Sequence, residues 1–246
     1  IINEFNTTNP WDITVTAEYK GSYNDVYTAM LAVLNTTAAP DLVVAYQNQA
    51  ATYQQSDALV DMTSLVNSYY WGLTPEDKAD FFPGFYQQDI FPTFNDARLG
   101  FPPYRSMEVL YYNMDWIKQL GYSAPPSTPA LFQEMACLAI TEPFSGTVSS
   151  SSIGYMLTPD ASRFASWTFA FGGALFDNAT GQYTLNSTGA INAMTFLKGL
   201  FNSGCARWVD TSYEDQTEFG AGGLLFAIGS SSGLPYYASA VDQGAQ

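Results

Sequence analysis

Between Ile13 and Gln49 the spacing of apolar positions changes twice. Ile13, Val15 and Ala17 alternate with polar residues up to Tyr19, the pattern of a strand with one covered face. Lys20-Gly21-Ser22 breaks the alternation. Ser22 or Asn24 then caps a helix with Asp25 in its first turn and Val26, Met30, Val33 and Leu34 along one side. Asn35 to Asp41 contains a proline and ends that helix, and Leu42 to Tyr46 follows as a continuous apolar run, as expected of a parallel strand covered on both faces. In such sheets ligands lie at the carboxyl ends of strands. Residues Tyr19 to Tyr23 and Tyr46 to Gln49 therefore mark a ligand cleft without catalytic machinery.

Further along, Tyr53 to Val66 reads as helical with a break at Ser56-Asp57, and Leu59 to Met62 as a short return toward the sheet. Thr74-Pro75-Glu76-Asp77 is a capped helix start. Phe81 to Phe94 is aromatic and interrupted by Pro83, Gly84 and Pro92. Leu99 to Ser106, followed by the β-favouring Met107 to Asn113, reads as a crossover between two lobes, 1–105 and 106–246. Asp115 to Leu120 is a short helix closed by Gly121, and the prolines from 125 to 129 introduce a helix burying Phe132, Met135, Ala136 and Ala139. Ser145 to Ser152 is a loop. Two core helices follow: Ala161 to Phe171, then one capped by Asn186-Ser187 with Ile191, Met194, Leu197 and Phe201 at helical spacing. Gly223 to Ile228 is a compact strand feeding Gly229-Ser230-Ser231-Ser232-Gly233 and a helix from Leu234. Serine hydroxyls and free N–H groups at a helix start suit a phosphate, carboxylate or sugar hydroxyl.

Composition narrows the function. The 246 residues carry 8 basic and 23 acidic side chains and no histidine, a formal charge of -15, which argues against nucleic acid as a partner. Aromatic residues make up 16%, and aromatic rings are what clefts for sugars and polyols present. No apolar run approaches the roughly 18 to 20 residues of a membrane span. Without histidine there is no serine–histidine pair and no usual zinc or non-haem iron ligand set, so neither a metal nor a cofactor is expected. Cys137 and Cys205 are either two buried thiols or a disulfide joining two helices in an oxidising compartment.

Taken in order, Asn9-Pro10 through Ile13-Thr14-Val15, Glu18 to Tyr23, Ala39 to Val44, Leu59 to Thr63, Tyr111-Tyr112-Asn113 with Asp115, and Phe219 to Leu234 resemble the solute-binding proteins of ABC importers. The resemblance is to the carbohydrate branch that includes the maltose- and glycerol-3-phosphate-binding proteins. It covers nearly the whole chain and implies an α/β fold of the two-lobed periplasmic-binding-protein type (type II), here incomplete: the first strand is missing and the chain ends inside the second lobe. It further implies a monomeric receptor that captures a sugar, polyol or sugar-phosphate-like solute between lobes by hinge closure. That receptor would hand its solute to a membrane permease, in the periplasm or on the outer face of the cell membrane, with or without a lipid anchor.

By position, the resemblance makes Tyr23, Ser106 and Ser231 ligand contacts. Gln47 falls where glycerol-3-phosphate-binding members carry a glutamate, and Pro159 and Ser162 replace their paired tryptophans. Glutamine both donates and accepts, which suits a neutral hydroxylated ligand. Asp160 and Arg163, on the turn that replaces those tryptophans, and Ser230, Ser232 and Gly233 complete the candidate set. Arg105 is either an anchor for an anionic ligand or half of an ion pair. The competing class is a secreted glycosidase using paired carboxylates, Asp57 with Asp61 or Glu214 with Glu218.

Overall fold

A computed structural model describes residues 1–102 and 104–244, so Pro103, in the crossover run, and residues 245 and 246, at the end of the second predicted lobe, lie outside the described residues. The chain divides into two compact units, the first from Ile1 to Arg105 and the second beginning at Ser106.

The first unit is built from six short helices, α1 (Ile2–Thr8), α2 (Tyr23–Val33), α3 (Gln47–Gln54), α4 (Thr63–Val66), α5 (Pro75–Asp80) and α6 (Pro83–Gln87), and a hairpin of β1 (Ile90–Phe91) and β2 (Ala97–Arg98). Two helix starts follow directly from local chemistry. Ser22 and Asp25 form a reciprocal capping box at α2, and Thr74 and Asp77 form another at α5, with Pro75 in its first turn. Asn95 and Asp96, both at positive φ, make the tight turn of the hairpin.

The two strands expected here, Ile13 to Tyr19 and Leu42 to Tyr46, do not form: neither segment pairs with a described strand. An alternating pattern specifies which side chains share a face; it does not supply a partner. In place of a ladder, the Asn6 side chain donates to the Val15 carbonyl and accepts from its N–H, and Asn9 does the same for Ile13. Leu42 and Val44, expected to be covered, are 81% and 56% exposed. The helix expected from Tyr53 starts earlier, at Gln47, because Gln49 accepts from the Tyr46 N–H. Gln47 thus opens a helix instead of closing a strand.

The second unit contains β3 (Glu108–Tyr112), α7 (Met114–Gln119), α8 (Pro129–Thr141), β4 (Ile153–Leu157), α9 (Ala161–Ala170), β5 (Phe176–Asp177), β6 (Gln182–Tyr183), α10 (Thr188–Asn202), β7 (Ala206–Trp208), α11 (Glu214–Gly220), β8 (Leu224–Ser230) and α12 (Leu234–Gly244), the last preceded by a 3-10 turn, Ser231–Gly233. Its main sheet runs β3-β8-β4-β7; β8, β4 and β7 are parallel, and β3 lies antiparallel on the edge. β5 and β6 form a separate hairpin. All five residues of β4 are buried, as a parallel strand between helix layers requires.

The core gathers the predicted face of α8 (Phe132, Met135, Ala136, Ala139) with Trp116, Tyr155, Trp167 and Phe226. At Gly154 the strand presses on the helix: a Cβ there would lie 2.1 Å from the Ala136 carbonyl oxygen, so nothing larger than glycine fits without a backbone shift. The face expected of α10 is rotated by one residue. Ile191, Met194 and Phe201 are 56%, 39% and 44% exposed, while Ala190, Ala193 and Leu200 are buried. Close approach explains this, since a Cβ on Gly189 would meet the Gly173 backbone at 2.4 Å, and only small residues permit such contact. Cys137 in α8 is disulfide-bonded to Cys205 just ahead of β7, with Cα atoms 4.6 Å apart, so the bridge joins a helix to a strand end and not two helices. Among the described residues no helix is long and apolar enough to cross a membrane.

Candidate functional site

Three loops leave the carboxyl ends of the parallel strands β4, β7 and β8, and they enclose a pocket of about 650 Å³ within the second unit. From β4 come Thr158 and, one turn into α9, Arg163. Asp160 accepts from the N–H groups of Ser162 and Arg163, so its carboxylate caps α9 and places Arg163; it does not itself line the pocket. The loop after β7 contributes Val209 to Tyr213, then Asp215 and Gln216.

The serine turn after β8 contributes Gly229, Ser230, Ser232 and Gly233. The hydroxyls of Ser230 and Ser232 lie 2.8 Å apart, and Ser230 also accepts from the Ser232 N–H. Ser231 points elsewhere: its N–H donates to the Met107 carbonyl and its hydroxyl accepts from the Met107 N–H, which ties the turn to the edge of the sheet. Tyr111 donates to the Ser230 carbonyl at 2.7 Å and stacks on Tyr237, whose hydroxyl donates to Asp215 at 2.8 Å. Burial, then the Asp215 charge and that hydrogen bond, pushes the Tyr237 phenol well above its ordinary value. The Tyr237 hydroxyl is thereby held as a donor to Asp215.

Arg163 is the single lining cation among the described residues. Its Nε lies 3.9 Å from Glu108 Oε2, too far for a hydrogen bond, and neither atom has another partner. Burial pushes the Glu108 carboxyl above its usual range, against the lowering effect of Arg163. A carboxyl raised in the folded state contributes its full stability below its unfolded pKa and loses it as pH rises through the folded value. Glu108→Gln is thus expected to exceed the parent in urea-unfolding stability at pH 7 and to match it below about pH 4. A less stable variant at pH 7 would show the carboxylate to be the favoured form.

The first unit carries a separate polar cluster. Tyr23 stacks on Tyr46 at 4.1 Å and its hydroxyl lies 3.4 Å from that of Tyr104; this contact, then burial, pushes the Tyr23 phenol up to about 12. Gln49, buried, donates to the Tyr23 carbonyl. Asp89 is ion-paired with Arg105, and the Gln47 side chain nearby also acts to lower its carboxyl. Burial raises Asp89 despite Arg105 and Arg98 beside it. Of the two readings of Arg105, the structure shows the ion pair, and it leaves the buried Nε without a partner. Ser106 is exposed, where the second unit begins.

Sequence reasoning missed Asp215 because β7 is three residues long and α11 starts from a left-handed Tyr213, leaving no recognisable strand-to-helix turn; Tyr236 and Tyr237 lie in the expected helix from Leu234 but were not singled out there. The carboxylates proposed as catalytic pairs are occupied separately. Asp61 accepts from the Thr63 and Arg98 N–H groups, and Asp57 from the Gln54 amide. Glu214 binds Arg207 and the Asp210 N–H, and Glu218 accepts from Ser149.

The family model for bacterial extracellular solute-binding proteins matches residues 1–245. The sn-glycerol-3-phosphate-binding periplasmic protein UgpB of Shigella flexneri is 25% identical over 241 residues, spanning 95% of this chain and 53% of its own; that of Escherichia coli K12 is similar to the same degree. The chain thus spans about half the length of the curated relatives it matches. Among solved structures, UgpB from Mycobacterium tuberculosis in complex with glycerophosphocholine superimposes with a TM-score of 0.80 at 22% identity, over 97% of this chain and 59% of that one. The GacH receptor of Streptomyces glaucescens gives 0.78 at 16%, over 97% and 57%. An ABC transporter solute-binding protein from Agrobacterium radiobacter K84 in complex with ribitol gives 0.73 at 22%, over 96% and 57%.

Proposed function

The chain belongs to the bacterial extracellular solute-binding proteins, and from that premise we propose that the protein is the solute receptor of an ABC importer, working outside the cytoplasm with a membrane permease as its partner. Its solute is a sugar, polyol or related hydroxylated molecule, which it binds and releases unchanged. The pocket at the ends of three parallel strands, lined by serine and threonine hydroxyls, tyrosines and a single arginine, carries this reading. Hydroxyls and backbone groups select hydroxyl geometry while rings give apolar contact. The relatives are named for glycerol-3-phosphate, and the structures hold glycerophosphocholine and ribitol, all of them hydroxylated small molecules. A disulfide accords with an oxidising compartment. Glycosidase chemistry loses its basis, because each proposed carboxylate pair is engaged in structural hydrogen bonds.

A thermal-shift screen against sugars, polyols and phosphate esters tests the proposal. A stabilising solute recovered intact supports a receptor, whereas turnover of a glycoside favours an enzyme. With that solute, Ser232→Ala, Tyr23→Ala and Gln47→Ala are each expected to weaken calorimetric affinity by about tenfold, the cost of one lost polar contact, with the fold retained. Unchanged affinity in all three would remove these residues from the site.

A further inference from the structure

Arg163 looks at first like an anchor for a phosphate or carboxylate, but its surroundings remove that role. Glu108 stands 3.9 Å from its Nε. Asp210 and Asp215 line the same pocket, so its lining carries two carboxylates against one guanidinium, and an incoming dianion meets no net positive charge. Two further features favour the opposite sign. Asp215 lines the pocket with one oxygen held by Tyr237 and its other oxygen without a hydrogen bond from any described residue, and Asp210 also lines it. Tyr213 and Tyr236 line the same pocket with 72% and 67% of their surface open, leaving ring faces available to a cation. Tyr213 holds φ at 66°, a conformation disfavoured for a bulky residue, at the start of the helix that presents Asp215.

We propose that this pocket selects a polyhydroxylated solute bearing a protonated amine, such as an amino sugar or amino polyol, and discriminates against phosphate esters. The amine sits against Asp215 with a tyrosine ring beside it, while the Ser230 and Ser232 hydroxyls and Thr158 take the solute's hydroxyls. The inference rests on the receptor reading above and specifies the ligand class of the same site.

The test is calorimetry on the intact protein with matched triplets, each sugar or polyol as the neutral parent, its amino derivative and its phosphate ester. The amino derivative is expected to bind at least about tenfold more tightly than the other two, the size of one charge-assisted contact. Asp215→Asn is expected to abolish that margin, so that on this variant the amino derivative and the neutral parent bind equally within error. Tighter binding of a phosphate ester, or an amine preference that survives Asp215→Asn, overturns the inference and leaves the receptor reading standing. Absence of binding by every member overturns both.

Discussion

Phe226→Ala is expected to destabilise the second unit by about 3–5 kcal/mol, the range for truncating a fully buried aromatic side chain. Phe226 lies in the middle of β8, fully buried, beside Tyr155 of β4 and opposite Tyr112 of β3. Its ring stacks on Phe132 at 4.6 Å, and Phe132 in turn meets Tyr155 and Trp167 edge-on. The truncated side chain leaves a hole bounded by two strands and α8, elements that cannot close on it without breaking ladder hydrogen bonds. Urea unfolding followed by tryptophan emission measures the loss, since Trp116 and Trp167 belong to the same core. Tyr183→Ala, with Tyr183 77% exposed, is the comparison, and should change stability by less than about 0.5 kcal/mol. Similar losses in the two variants would contradict the packing described.

Replacing both Cys137 and Cys205 with serine is expected to cost about 4 kcal/mol by the chain-entropy argument, because the bridge closes a loop across a sequence separation of 68. The effect acts mainly on the unfolded chain, so the pocket should keep its affinity for any solute the parent binds. The double variant without reductant, and the parent unfolded in reductant, should show the same lowered midpoint. A parent insensitive to reductant would indicate that the bridge does not form in solution. The second unit depends on this closure because Cys205 precedes β7, the three-residue strand whose following loop carries Asp210 and Asp215.

What could be read from the sequence was decided by local interactions. The caps at Ser22 and Thr74 bond only to residues three positions away, and the buried face of α8 depends on one helix period, so all were legible. The serine turn was found for the same reason, as a run of hydroxyl residues between an apolar strand and a helix. Where a partner decides the outcome, pattern was insufficient. The segments at Ile13 and Leu42 have strand periodicity but no described strand to pair with. The face of α10 was set by the tight approach of Gly189 to Gly173, which selects small side chains over large ones. Within the site, Arg163 was picked out only by the resemblance, from its place on the turn that replaces paired tryptophans. Its approach to Glu108 joins residues more than 50 positions apart, a relation that only the folded sheet reveals.

The reciprocal hydrogen bonds between Met107 and Ser231 have a practical consequence. They clamp the second residue of the second unit to the turn that carries Ser230 and Ser232, so those amide protons can exchange with solvent only when the clamp opens. Deuterium uptake at Met107 and Ser231 should therefore report pocket occupancy from positions that do not line the pocket.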